Sequence, residues 1–488
     1  MYVLRLTFGD RSEWGIVFGL VHGSKRRDAR LKLRRFSFAR TPLETFQKIQ
    51  NKCDFAYILE SVKGPRRLSR FSFVGFNPSV VLNAKDHIVQ THHLETGERA
   101  ITKVRDPLEV VERLVNERPI NYQGMSYVGG AVGYISYDST RYWENLPSLS
   151  KDDLAYPDIE MGIYDDGIIF DHQNREAFYF YTEKDRLAEI HGLLNNTADN
   201  HELSYSDMST NISKERFEEV VADAKQHIKS GRVFQVVLSK RYEFEIEGDL
   251  LRFYSVLRKI NPSPYMYFLK MKNRVIVGSS PETLVRVRRN TVETFPIAGT
   301  RPRSNDRAKD QRMARELLSD EKECAEHAML VDLARNDIGR VSSFGTVNVD
   351  QYMKVHRFSH VQHIVSRVVG TLRDEYNSFD VLRAGFPAGT VSGAPKVSAM
   401  EIIEESEPTR RGPYAGAVGY FSKNGDSDFA ITIRTLIADG KRANIQVGAG
   451  IVADSHPERE WYETEDKAGA LMKALEKSQE MKNESSSY

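Results

Sequence analysis

Near the C-terminus, Pro457-Glu-Arg-Glu-Trp-Tyr-Glu-Thr-Glu-Asp-Lys467 leads into Ala468–Leu475, a run of strong helix formers. Pro457 stands where a first helical turn tolerates proline. On the helix this predicts, Glu460, Glu463 and Lys467 fall at i, i+3 and i+7 and share one face. A second run, Asp320-Glu-Lys-Glu-Cys-Ala-Glu-His327, places Glu323, Glu326 and His327 at i, i+3 and i+4. Carboxylates this close repel unless a cation lies between them. Two such helices facing each other would make an oxygen-rich cage. That cage suits a hard ion, Mg²⁺ before others, which keeps some waters and takes carboxylate and substrate oxygens. Spacing alone favours the plainer alternative, two solvated acidic faces with i,i+4 ion pairs.

Other stretches could join that chemistry. Glu282, in Gly278-Ser-Ser-Pro-Glu-Thr283, follows a strand at a turn. A half-buried carboxyl beside other carboxylates keeps its proton and can donate it. Ile297-Ala-Gly-Thr-Arg-Pro-Arg303 offers backbone N–H groups, the Thr300 hydroxyl and two arginines to an anion. Pro387-Ala-Gly-Thr-Val-Ser-Gly-Ala-Pro-Lys396 is not a Walker loop, because Ala-Pro separates Gly393 from Lys396. It reads as a small-residue turn that lets backbone approach a ligand. His356, His360 and His363 invite zinc, yet no zincin glutamate accompanies them, so a single histidine near the site is the better reading. Arg434, in the strand-like run Phe429–Ile437, needs an anionic partner. A substrate carboxylate beside the Gly448–Gly450 backbone would serve, and so would Asp428. Leu333 to Arg340 reads as a helix end with its own Asp–Arg pairing.

These residues need a scaffold, and the chain has length for one. Its 488 residues suit two ordinary domains or one large α/β unit. Hydrophobic content of 40% and charged content of 28% are those of a globular protein. A net charge of +1 gives no field for nucleic acid or a membrane surface, and no apolar run is long enough to span a bilayer. Two cysteines, Cys53 and Cys324, make neither a disulfide framework nor a thiolate metal site, and suit a reducing compartment. Residues 1–40 read as a leader of uncertain order. Its apolar Trp14–Val21 stretch follows Asp10 and Glu13, which oppose a signal peptide, and its basic Ser24–Arg35 stretch leaves a targeting or phosphate-binding arm open. Thr41-Pro-Leu-Glu44 opens a helix, and Tyr57–Ser61 and Phe71–Phe76 read as strands around a Gly64-Pro65 turn. Residues 195–212, polar and rich in Asn, Ser and Thr, are the candidate boundary between a 41–194 region and a 213–476 region, with 477–488 a disordered tail. Beyond it, Ser213 caps a helix with the apolar face Phe217, Val220, Val221, Ala224 and Ile228, and Phe234–Leu238 reads as a buried strand. Helices at Lys322–Asn336, Lys396–Glu405 and Glu458–Lys477 alternate with strands, a large mixed α/β chain built on antiparallel hairpins.

In order along the chain, Phe234-Gln-Val-Val, Gly278-Ser-Ser-Pro-Glu, Pro296-Ile-Ala-Gly-Thr-Arg, Asp320-Glu-Lys-Glu, Asp332-Leu-Ala-Arg-Asn-Asp, the Pro387–Lys396 turn, Gly448-Ala-Gly-Ile and Glu460-Trp-Tyr-Glu resemble the motifs of the chorismate-utilising enzymes. The anthranilate-forming branch, anthranilate synthase component I, is resembled most. The likeness runs from about Pro42 to Ala474. It implies an α+β fold of two facing antiparallel β-sheets flanked by helices, with the site in a cleft between them. It implies Mg²⁺ on Glu326 and Glu463, with Glu323 and Glu460 supporting through waters. Chorismate's ring carboxylate would sit on the metal, with Thr300 beside the ring. The enolpyruvyl carboxylate would meet Arg434, Tyr414, the backbone of Gly448, Ala449 and Gly450, and Lys467. Glu282 would protonate the departing hydroxide, and His363 would act in the aromatising step.

Two positions separate relatives. Water-using members carry a lysine base where this chain has Gln235, and aminodeoxychorismate synthases a nucleophilic lysine where it has Ala298. With neither present, ammonia and an anthranilate product are expected. The resemblance further implies tryptophan as feedback inhibitor. Glu60, Ser61 and Arg70 would hold its charged groups, and Pro264, Tyr265 and Met266 its indole. Neither cysteine lies in a glutaminase motif, so a separate glutamine amidotransferase subunit is implied, in a hetero-oligomer such as a heterotetramer, in the cytoplasm. Aminodeoxychorismate synthase component I and a catalytically silent tryptophan-binding subunit are the alternatives.

Overall fold

The computed structural model describes residues 4–6, 17–18, 30–36, 40–62, 70–195, 202–304, 306–357 and 361–480. Two large sheets, of 14 and 13 strands among the described residues, face each other. Between them lies an aromatic core that includes Tyr57, Phe73, Tyr127, Tyr134, Tyr267 and Tyr420. Helices cover the outer faces. Pro42–Gln50, Leu250–Ile260 and Pro457–Glu480 pack on one sheet, with Phe46, Leu251, Leu471 and Leu475 in their shared core. Leu108–Asn116, Glu321–Gly339 and Ser378–Gly385 pack on the other. The strand pairs nearest the cleft are antiparallel. This is the expected α+β arrangement.

Local sequence explains where helices start. Thr41 accepts from the Glu44 N–H and Glu44 accepts from the Thr41 N–H, a reciprocal cap with Pro42 in the first turn. Ser213 caps Lys214–Lys229, whose buried side is Phe217, Val220, Val221 and Ala224. The helix Pro457–Glu480 runs past the expected tail boundary, so 477–480 are helical.

Both sheets recruit strands from either side of residues 195–212. Gly130–Ile135 pairs with Ala417–Ser422, and Phe55–Glu60 pairs with Tyr265–Met271. Within the polar stretch, Ser204–Tyr205 and Ser209–Thr210 add to the long strand Gln235–Glu247. The leader also contributes strands, Leu4–Leu6, Val17–Phe18 and Lys32–Phe36. The Gly64-Pro65 turn and His360 fall outside the described residues.

The structure departs twice from the expected strands, and the first departure builds the site. The run Phe429–Ile437 is not one strand. It divides into Ser427–Ile431, in the 14-stranded sheet, and Thr435–Asp439, in the 13-stranded sheet, with Arg434 at φ +52° between them. Likewise Arg274–Ser280 belongs to one sheet and Thr283–Arg288 to the other, with Glu282 at the crossing. Left-handed backbone at a non-glycine residue is strained, and such strain gathers at functional sites. The second departure is Phe234, expected in a buried strand but 71% exposed just before that strand begins.

Candidate active site

The two chain crossings deliver Glu282 and Arg434 into the space between the sheets. Around them the other candidates follow one another in a closed series of neighbours. The Gln235 side-chain amide donates to Glu326 Oε1 at 3.2 Å. The same amide fills the space beside Gly450, where an added Cβ would come within 2.6 Å of it. On that strand, Lys467 Nζ donates to the Gly448 carbonyl at 2.9 Å, and a Cβ on Gly448 would meet the Tyr414 hydroxyl at 2.7 Å. The charge of Arg434 acts on both Tyr414 and His363. His363 Nδ1–H donates to the Gly299 carbonyl at 2.8 Å and lies 3.1 Å from the Thr300 hydroxyl. Gly299, at φ +67° in a strand irregularity, lets Glu323 approach, since a Cβ there would lie 3.0 Å from its carboxylate. Glu323 returns the series to Glu326, one helical turn on.

Electrostatics assigns states to these groups. Burial pushes the Glu282 carboxyl up to about 8, opposed by the Thr390 hydroxyl and the Lys467 charge, so it keeps its proton at neutral pH. The Glu326 carboxyl is raised first by burial, then by Glu323 and Glu463. Glu460 is raised by burial and again by Glu463. Carboxylates from two helices therefore already repel one another across the cleft. His363 is kept neutral mainly by burial, with Arg434 adding to it. Arg434 has no carboxylate partner among the described residues, and burial pulls its guanidinium down, offset in part by Tyr414.

The expected cage needs revision. Among the described residues, no three acidic, histidine or cysteine side chains are already drawn to metal-binding spacing. Glu463 is held by Lys467 at 2.7 Å, and Glu323 by Arg301 at 3.1 Å. His327, expected on the acidic face, turns into the core. It is fully buried, 2.6 Å from the Ser366 hydroxyl, and desolvation takes it down to about 4. Its helix face was right by spacing, but Glu326 and the next residue diverge by about 100° around the axis. Ala449 joins the cleft by backbone only, because strand alternation sends its side chain among Phe217, Val236 and Ile402. The groups expected to meet an anion thus converge, while the acidic pair is partly neutralised by neighbouring cations. The donor set still fits a hard divalent ion, since Glu326 faces two carboxylates and receives one amide N–H.

Sequence reading missed Thr390. It shares a cavity with Glu282, Asp337 and Ile431, and its hydroxyl faces the Glu282 carboxyl there, easing that group's ionisation. Its signal was present in the small-residue turn, which brings that backbone close. Asp337 pairs with Lys396 at 2.9 Å, not with a neighbouring arginine, tying the Glu323 helix to the same turn.

A second cavity collects Glu60, Ser61, Arg70, Pro264, Tyr265 and Met266, all six residues of the other expected site. Its charges are already engaged, however. Glu60 accepts from Arg258 at 3.0 Å and Tyr254 at 2.7 Å, and Arg70 pairs with Asp171 at 2.9 Å. The Ser61 hydroxyl is buried without a partner among the described residues.

Residues 54–473 match the family of chorismate binding enzymes. The chain is 46% identical, over 94% of its length and 97% of the other's, to anthranilate synthase component 1 of Methanothermobacter marburgensis. It is 40% identical, over 90% and 95%, to aminodeoxychorismate synthase component 1 of Bacillus subtilis. The crystal structure of anthranilate synthase component I from Streptococcus pneumoniae superposes with a TM-score of 0.75 at 38% identity, covering 83% of this chain and 92% of that one. With a family match across most of its length, on a fold whose cleft gathers an unpaired arginine and a protonated glutamate, the chain belongs to the chorismate-binding enzymes.

Proposed function

We propose that the chain converts chorismate and ammonia to anthranilate and pyruvate, as the large component of an anthranilate synthase serving tryptophan biosynthesis in the cytoplasm. The observation that carries this reading is Arg434. A guanidinium delivered between two sheets with no carboxylate partner among the described residues calls for an anion from outside the protein. The relatives named above support the choice of chorismate.

In this reading Arg434, the Tyr414 hydroxyl and Lys467 bind the enolpyruvyl carboxylate against the Gly448–Gly450 backbone. Thr300 lies beside the ring. Glu326 and Glu463, with Glu323 and Glu460 behind them, would hold Mg²⁺. Bound there, the ion would orient the ring carboxylate and balance its charge. Glu282 gives its proton to the C4 hydroxyl, which leaves as water while ammonia forms the new bond at C2 and the ring double bonds shift. The added nitrogen then sheds a proton. Neutral His363, basic at Nε2, takes the C2 proton as the C3–O bond breaks and the ring becomes aromatic; the departing enolpyruvate takes up a proton at its methylene carbon and leaves as pyruvate.

The nucleophile follows from what Gln235 and Ala298 lack. A carboxamide cannot deprotonate water near neutral pH, and a methyl group cannot attack the ring. Ammonia needs neither. Neither Cys53 nor Cys324 lies in a glutaminase motif, and burial pushes the Cys53 thiol up to about 11, away from a reactive thiolate. A glutamine amidotransferase subunit supplies the ammonia, in a hetero-oligomer such as a heterotetramer. Tryptophan would inhibit from the second cavity.

The test is anthranilate fluorescence from chorismate, ammonium and Mg²⁺ with the chain alone. Anthranilate is expected with ammonium and not with glutamine. Isochorismate or 4-amino-4-deoxychorismate in its place rejects the reading.

A further inference from the structure

The second cavity and the proton donor of the cleft meet at one strand junction. Tyr265, on the cavity wall, opens the strand Tyr265–Met271. Its hydroxyl lies 2.8 Å from Thr283 Oγ1 and donates to Asp428 Oδ1 at 2.7 Å. Thr283 is the residue after Glu282, at the start of the strand that has just crossed between sheets. Asp428 lies on Ser427–Ile431, whose Ile431 N–H donates to the Glu282 carbonyl at 3.1 Å. Thr283 and Ala430 are register partners in those two strands. One phenol hydroxyl therefore ties together both backbone segments that locate Glu282.

We propose that Tyr265, Thr283 and Asp428 form a positioning junction that sets the place of Glu282 and passes occupancy of the second cavity to the proton donor. The regulatory half rests on reading that cavity as the tryptophan site; the positioning half does not. An aromatic ligand lodged against Pro264, Tyr265 and Met266 meets the Tyr265 ring, and any tilt of that ring moves its hydroxyl. Thr283 and Asp428 must then follow or lose a hydrogen bond. A displacement of about 1 Å at a reacting group can cost on the order of 100-fold in rate. The ligand inhibits to the extent that it binds the displaced arrangement more tightly.

The test uses Thr283→Val, close to isosteric and without the hydroxyl, beside Thr283→Ser, which keeps it. Tryptophan binding is followed by calorimetry and turnover by the ammonium assay. For Thr283→Val we expect tryptophan affinity within about twofold of the parent, at least a tenfold higher concentration for half inhibition, and a fivefold or greater fall in kcat with chorismate KM unchanged. Thr283→Ser should restore all three. Tyr265→Phe, which breaks the same junction from the cavity side, should also uncouple binding from inhibition. Unchanged inhibition in Thr283→Val overturns the coupling, and unchanged kcat overturns the positioning. Should the parent bind no tryptophan, the effector reading falls, and the junction stands or falls on the kcat loss and its rescue by serine.

Discussion

Glu282 shows how much one buried carboxyl can be asked to do. Its proton is retained up to about pH 8 because burial disfavours the anion. In the proposed role of general acid it must be protonated, so kcat should hold at neutral pH and fall as pH rises through 8. Glu282→Gln should lower kcat on the order of 100- to 10,000-fold and abolish that alkaline limb. The same shift bears on stability. The unfolded carboxyl ionises near 4.5 and the folded one near 8, so the folded state holds the extra proton between those values. The contribution is complete below 4.5 and is lost as pH rises towards 8; urea titrations at pH 6 and pH 9 will show the higher midpoint at pH 6. Arg434→Met should raise chorismate KM on the order of 10- to 100-fold, as loss of a charge-assisted hydrogen bond does. At this scale the motifs were legible because each role demands a residue type. The side chain's direction was not. His327 and Ala449 neighbour true cleft residues in sequence, yet helix and strand geometry turn both into the core.

At the scale of elements, the cleft depends on holding the acidic face of Pro457–Glu480 opposite that of Glu321–Gly339. The helix is fastened from beneath. Lys240, fully buried on the strand Gln235–Glu247, pairs with Glu465 and lies 3.2 Å from the centre of the Trp461 ring. Desolvation lowers the lysine's pKa and Glu465 opposes that. Removing the carboxylate leaves a buried cation beside the Trp461 and Tyr242 rings without a counter-charge from Glu465. Glu465→Ala should therefore destabilise by about 1–3 kcal/mol, and Lys240→Met by less, which denaturant melts would rank. Across the cleft, the proposed Mg²⁺ site predicts that Glu326→Gln and Glu463→Gln each lower turnover in the presence of Mg²⁺ at least 100-fold, with weaker Mg²⁺ binding by titration; Mg²⁺ affinity equal to the parent's in both variants rejects that site. The helices themselves could be read from caps and apolar periodicity, since those signals lie within a dozen residues. The breaks at Thr432–Arg434 and Ser280–Thr283 could not. Each run is apolar on both sides of its crossing because both sheets bury it, so the hydrophobic pattern does not register the change of sheet.

The whole molecule behaves as one body because neither sheet can be completed by one half of the chain. Gly130–Ile135 needs Ala417–Ser422, and Phe55–Glu60 needs Tyr265–Met271. Cutting within 195–212 would leave each part with an open, apolar sheet edge. Differential scanning calorimetry of the intact chain should give one cooperative transition; two separable transitions would contradict the shared sheets. No described helix is long and apolar enough to cross a membrane. What the amino-acid order determined by itself was the list of parts: the carboxylates at helical spacing, Glu282 after its strand, and the small-residue turn. These depend on residue chemistry and short-range periodicity. What only the tertiary structure decided was which parts meet. Gln235 is brought to Gly450 by the register of paired strands, and Tyr265 to Asp428 by the packing of one sheet on the other; either arrangement is a property of two distant segments at once.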